Sequence, residues 1–142
     1  MKRNIIAILL LSFLIFGTVS CKKETTYTDL LYDNYYANAN DSEGDETKID
    51  IKGSLMNGDM KHPNIGAKLK GNTLFIFFFE TLENCMTLIT AENGDMLFSR
   101  RMAKQGPSVV RVYLGNEPSG DYHLFITNGI KEAEGDFYLV GN

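Results

Sequence analysis

The chain reads as an all-β sandwich, and three observations carry that reading. From residue 47 onward, apolar side chains recur at every second position, the period of a strand with one face buried. Turn-forming residues punctuate these runs at short intervals. No apolar pattern of helical period is sustained for long in the same region.

The elements follow in order. Ile49 and Ile51 alternate with Asp50 and Lys52, and Ile65, Ala67 and Leu69 alternate with Gly66, Lys68 and Lys70. Gly71-Asn72 then marks a two-residue hairpin, because both residues tolerate the positive φ of a primed turn. Leu74 to Phe79 is the next strand. Cys85 to Ala91 and Met96 to Met102 flank the turn signal Glu92-Asn93-Gly94-Asp95. Val109 to Leu114 and Tyr122 to Thr127 flank Pro118-Ser119-Gly120, and Phe137 to Val140 follows Gly135. About eight short strands at this spacing predict a β-sandwich of immunoglobulin type, with 7–8 strands. The sequence has no Trp, and its two cysteines do not suggest the paired set of an antibody domain. Gly120-Asp121-Tyr122-His123-Leu124 resembles a tyrosine corner with Leu124 in the cysteine's place, which predicts a buried Tyr122 bonded to upstream backbone.

Ahead of the domain lie two segments of different character. Lys2 and Arg3 precede an apolar run from Ile5 to Phe16, which is interrupted only by Ser12. Such a run fits a secretory h-region and is short for a membrane-spanning helix. Thr18-Val19-Ser20-Cys21 resembles the lipobox of bacterial lipoproteins, in which the cysteine receives diacylglycerol and becomes the new N-terminus. Thr18 stands where Leu or Val is usual, and Thr18-x-Ser20 also fits ordinary signal cleavage. The expected organisation is a signal peptide over 1–20, a lipid-anchored acidic tether over 21–46 and a β-sandwich over 47–142. Two or more acyl chains hold a protein firmly on a membrane, so Cys21 would place the chain in the cell envelope, on the outer membrane, facing the periplasm or the surface.

Charge is divided unevenly. Residues 22–46 carry two lysines against seven acids, a net of −5, whereas residues 47–142 carry ten basic and eleven acidic residues. The domain has no basic excess of the kind that binds nucleic acid. The tether reads as a solvated linker, within which Tyr27, Leu30, Leu31 and Tyr35 recur at helical spacing and would form a short docking turn or flap. Asp41-x-Glu43-x-Asp45 lacks the Gly and distal Glu of a calcium loop. If Cys21 is acylated, Cys85 has no partner and reads as a small buried hydrophobe.

The run Leu69-Lys70-Gly71-Asn72-Thr73-Leu74-Phe75-Ile76, followed by Asn93-Gly94-Asp95, Pro118 to Leu124 and Gly135-Asp136-Phe137, resembles a family of small exported domains from Bacteroides-type bacteria. That resemblance implies an immunoglobulin-like sandwich, an extracytoplasmic compartment and no assigned reaction. The same Gly-x-Tyr-x-Leu element is similar to C-terminal sorting domains of that phylum.

Few residues suggest chemistry. The nucleophile elbow, P-loop, His-Glu-x-x-His and Cys-x-x-Cys patterns are absent, so no cofactor, metal or catalytic residue is expected. His62 and His123 read as lone histidines, Glu80, Glu83 and Glu92 as solvated strand ends, and Arg100, Arg101 and Lys104 as a solvated basic cluster. Strand alternation turns Leu74, Ile76 and Phe78 inward and Phe75 and Phe77 outward. The same logic turns Tyr113 and Phe125 out, and Phe75, Phe77, Tyr113 and Phe125 form the candidate binding face. The expected function is a lipid-anchored, non-catalytic interaction module of the cell envelope, which touches the membrane through its lipid and an unknown protein or glycan through its aromatics, with no nucleic acid. The alternatives are an enzyme inhibitor using the loop from Gly53 to Asn64, or a structural subunit of a surface assembly, with an enzyme last.

Overall fold

A computed structural model describes residues 26–36, 46–59 and 61–141. The expected signal peptide, Cys21 and the acidic run 37–45 lie outside the described residues.

One helix, α1 (Tyr27–Tyr36), precedes eight strands: β1 (Glu46–Ile49), β2 (Ile65–Lys70), β3 (Thr73–Phe78), β4 (Leu82–Ala91), β5 (Met96–Gln105), β6 (Ser108–Tyr113), β7 (Gly120–Thr127) and β8 (Glu132–Leu139). The strands form two antiparallel sheets of four. Sheet A has the order β1-β2-β3-β6 and sheet B the order β5-β4-β7-β8. Their inner faces share one core, in which Leu74, Ile76 and Phe78 of β3 meet Ile89 of β4 and Leu124 and Ile126 of β7. Cys85 is a buried free thiol in this core. Burial pushes its ionisation up and outweighs the opposing hydrogen bond with Thr87.

Strand registers follow the sequence alternation. Leu69 pairs with Leu74 across the β2–β3 hairpin, and Ile89 pairs with Leu124 in the middle of sheet B. Gly71 takes the positive φ that this hairpin requires. The tyrosine corner is present: Tyr122 is buried and its hydroxyl donates to the Pro118 carbonyl at 2.6 Å. The strand boundaries shift by a few residues. β5 extends to Gln105, β8 begins at Glu132, and Ile51 lies beyond the end of β1.

The segment after β1 explains the position of Ile51. The chain turns across to sheet B and bonds to the edge of β8. Lys52 and Glu134 exchange both backbone hydrogen bonds (2.9 and 2.8 Å), and the Leu55 N–H donates to the Glu132 carbonyl at 2.8 Å. The contact needs glycine at position 53. Its φ is +134°, and a Cβ there would sit 2.3 Å from the Glu132 carbonyl oxygen. This strap covers the Glu132–Glu134 stretch of the β8 edge, on the side of the sandwich where β1 and β8 lie. On the opposite side β5 and β6 end their sheets, and among the described residues nothing pairs with their outer edges.

Residues 27–36 depart from the solvated-linker expectation. They form a complete helix, and its start is capped: Thr26 Oγ1 accepts the Asp29 N–H at 3.2 Å, and Asp29 Oδ2 accepts the Thr26 N–H at 3.1 Å. A ten-residue helix is marginal in water, so this one persists because it packs. It lies on the outer face of sheet A, with Leu31 and Tyr35 buried against Phe77 and Phe79. No helix among the described residues is long and apolar enough to cross a membrane.

A candidate interaction surface

The outer face of sheet A is built by residues of β1, β2, β3 and β6 that alternate with the core set. Phe77 and Phe79 form its apolar centre, and α1 closes over them. The Tyr32 ring stacks on Phe79 with centroids 4.1 Å apart and planes within 2°. Tyr35 stands edge-on to Phe77 and Phe79 at 5.3 and 5.5 Å. Beneath Tyr35 lies Gly66, where a Cβ would come 2.7 Å from the ring, so the helix docks this closely only because β2 has no side chain there. The Tyr32 hydroxyl donates to the Pro63 carbonyl at 2.9 Å. Burial pushes the phenols of Tyr32, Tyr35 and Tyr36 above their ordinary ionisation, with nearby negative groups as the smaller cause.

Polar contacts complete this interface. Lys68, outward-facing by alternation, is buried under the helix. Its ammonium sits 2.8 Å from Glu46 Oε1, the two side chains being 7% and 8% exposed. It also donates to the Asn34 carbonyl near the helix C-terminus at 2.9 Å, where a cation complements the helix dipole. Lys48 lies over the Tyr35 and Tyr36 rings at 4.8 and 4.4 Å.

The four candidate aromatics therefore do not form one exposed stripe. Phe77 is fully buried, because α1 covers it. Phe75 is half-buried beside that contact, with the Arg111 guanidinium 5.8 Å from its ring. Tyr113 is 68% exposed on the same face. Phe125 is half-buried on the other sheet, where it pairs with Leu88 of β4 and Glu134 of β8. Strands that each turn an aromatic outward belong to opposite sheets, and alternation alone does not assign them to one.

The outer face of sheet B carries a feature that the sequence reading passed over. His123 on β7 lies between two acids of β8: Nδ1 is 2.6 Å from Asp136 Oδ1, and Nε2 is 3.3 Å from Glu134 Oε2. A neutral imidazole can donate to only one of them. The carboxylates engage opposite ring nitrogens and do not converge on a common point, so the trio is a cross-strand clamp rather than a ligand set. The sequence holds the signal, a histidine on β7 and acids at alternate positions of β8, but the register that joins them comes from pairing.

The remaining candidates stay apart. His62 sits in a turn where Asp59 Oδ1 accepts the N–H groups of Lys61 and His62, and its ring meets the edge of Tyr32 at 5.3 Å. It belongs to the sheet A side and His123 to sheet B. Glu83 and Glu92 stand nine residues apart along β4 and its turn, about 30 Å for extended chain, far beyond the reach of a carboxylate pair. Arg100, Arg101 and Lys104 lie on β5 at the bare side of the sandwich, with Lys104 opposite Glu83. Among the described residues no group of three His, Cys, Asp or Glu is placed to hold a metal ion.

No family model and no curated protein matches the chain. Among solved structures the chain is similar to a DUF3244 family protein with an immunoglobulin-like β-sandwich fold from Bacteroides vulgatus. The likeness has 16% identity and a TM-score of 0.55, and covers 66% of this chain and 98% of that one. At that identity the likeness speaks for the fold alone, and the described strands form an immunoglobulin-like β-sandwich.

Proposed function

We propose that the chain is a lipid-anchored, non-catalytic interaction module of a Bacteroidetes-type cell envelope, held through Cys21 and binding a protein or glycan partner through its sandwich. The observation that carries the reading is the unequal use of the sandwich surface. α1 and the strap commit the outer face of sheet A and part of the β8 edge to internal contacts, and among the described residues nothing covers the outer face of sheet B or the β5/β6 side. The lipobox-like Thr18 to Cys21 supports the anchor, and the acidic run behind it supports a spacer between membrane and sandwich.

The loop from Gly53 to Asn64 lends less support to the inhibitor alternative. Its first residues are bonded flat against β8, and Asn64, itself buried, donates to the Leu55 carbonyl and accepts from the Asn57 N–H, closing the loop on itself. Two measurements test the proposal. Mass analysis of the mature N-terminus should find an acylated Cys21 in wild type and no lipid in Cys21→Ala. Affinity capture of the anchored protein should recover a defined partner that Cys21→Ala does not enrich. An unlipidated N-terminus at Cys21 removes the anchor from the proposal, and hydrolytic activity on a peptide or glycan by the purified chain overturns its non-catalytic part.

A further inference from the structure

The open side of the sandwich has a charge character that sets it apart from the rest of the molecule. Residues 96–113, comprising β5, β6 and the turn between them, contain Arg100, Arg101, Lys104 and Arg111 and no acid, in a chain of net charge −4. β8, at the opposite edge of sheet B, contains Glu132, Glu134 and Asp136 and no basic residue. The sandwich therefore carries a cationic bare side and an anionic strapped side.

A groove of about 470 Å³ runs along the bare side. Its floor is Val109, Val110 and Arg111 of β6, and Arg100 of β5 stands at its rim. Its far wall is α1, which offers Tyr27 and Leu30, 57% and 54% exposed, together with Leu31 and Asn34. Asp29 is engaged in the helix cap and Asp33 does not line the groove, so among the described residues the two arginines set its charge. β6 is the terminal strand of sheet A, and its outer edge presents the alternating donors and acceptors of a strand with one neighbour. An added strand would lie 4.7–4.9 Å from β6, between its edge and the helix.

We infer that this groove is a strand-addition site for an extended acidic peptide segment of a partner protein. The inference rests on the reading of the chain as an interaction module. The peptide backbone pairs with β6; its apolar side chains, on the helix side, meet Tyr27, Leu30 and Val109, and its carboxylates, on the opposite side, meet Arg100, with Arg111 adding to the positive field. Charge selects the occupant. A second copy that paired its own β5/β6 side here would set like guanidinium groups against each other. A second copy that offered β8 would bring acids, but at Glu132–Glu134 that edge is already bonded to the strap.

The test is fluorescence anisotropy of a labelled ten-residue peptide of alternating Val and Glu, titrated with the full chain. The expected result is saturable binding that weakens with salt and falls at least tenfold in Arg100→Glu/Arg111→Glu, with Lys131→Glu on the far side as an unchanged control. A Val/Glu peptide N-methylated at alternate backbone nitrogens should fail to bind, because it cannot extend the ladder. Equal binding by a Val/Lys peptide, by the N-methylated peptide or to the arginine variant overturns the inference. Capture of a partner that ignores the arginine substitutions also overturns this site, yet leaves the interaction-module proposal standing.

Discussion

The two outer faces of the sandwich start from similar sequence and end in different states. β3 and β7 each turn a phenylalanine away from the core, Phe77 and Phe125, although the other outward residues of β7 are Asp121, His123 and Thr127. Phe77 is sealed beneath α1, whereas Phe125 pairs across the strands with Leu88 and Glu134 and stays half-exposed. Strand alternation fixes which side chains share a face. Whether that face meets solvent depends on a segment more than forty residues earlier in the chain.

The largest way to break the comparison is to cut the two phenylalanines. Phe77→Ala should lose about 3–5 kcal/mol, the range for a fully buried aromatic. Phe125→Ala should lose roughly 1 kcal/mol, because much of its area is already in water. Urea denaturation monitored by circular dichroism reads both, and equal losses would show that sheet B is covered as well. Next is Lys68→Met, which strands Glu46 under the helix. Breaking a buried ion pair costs about 3–5 kcal/mol, but α1 can lift and rehydrate the carboxylate, so the loss should stay near the lower figure. Hydrogen exchange should then rise in 27–36 and not in β7.

A third test uses pH. Tyr32, Tyr35 and Tyr36 have ionisations raised by burial, so their contribution to helix docking is fully present below the ordinary tyrosine value and is lost as pH rises through the raised values. Alkaline titration should therefore release α1 before the sandwich unfolds. Tyrosinate absorbance should rise together with proteolysis in 27–36; simultaneous loss of the core would mean that the helix is not separable. The smallest effect serves as a reference. Tyr122→Phe removes one hydrogen bond to Pro118, should cost about 1 kcal/mol and should leave the accessibility of both faces unchanged.

Much of the fold was legible because it is local. Gly71-Asn72 announced the β2–β3 hairpin, the alternation of β2, β3, β6 and β7 announced the core, and Gly-x-Tyr-x-Leu announced the corner around Tyr122. Less of the surface was legible, since it is made by long-range packing. The spacing of Tyr27, Leu30, Leu31 and Tyr35 allowed a short turn within what reads as a solvated linker, and Thr26-x-x-Asp29 is its cap, but nothing local says that it lands on Gly66. Lys68 looked like an ordinary solvent-facing lysine for the same reason. The basic cluster on β5 was visible, but Arg111 joins it only because β5 and β6 end their sheets on the same side.

The strap over β8 bears on polymer growth. A sandwich with two open edges can pass its ladder from copy to copy and elongate into a fibre. In sheet B, Lys52 and Leu55 occupy the β8 edge, so one end of that sheet has no vacancy for an incoming strand at Glu132–Glu134. A copy that paired through β8 would have to leave that stretch aside, which shortens the ladder that sheet B could pass to a neighbour.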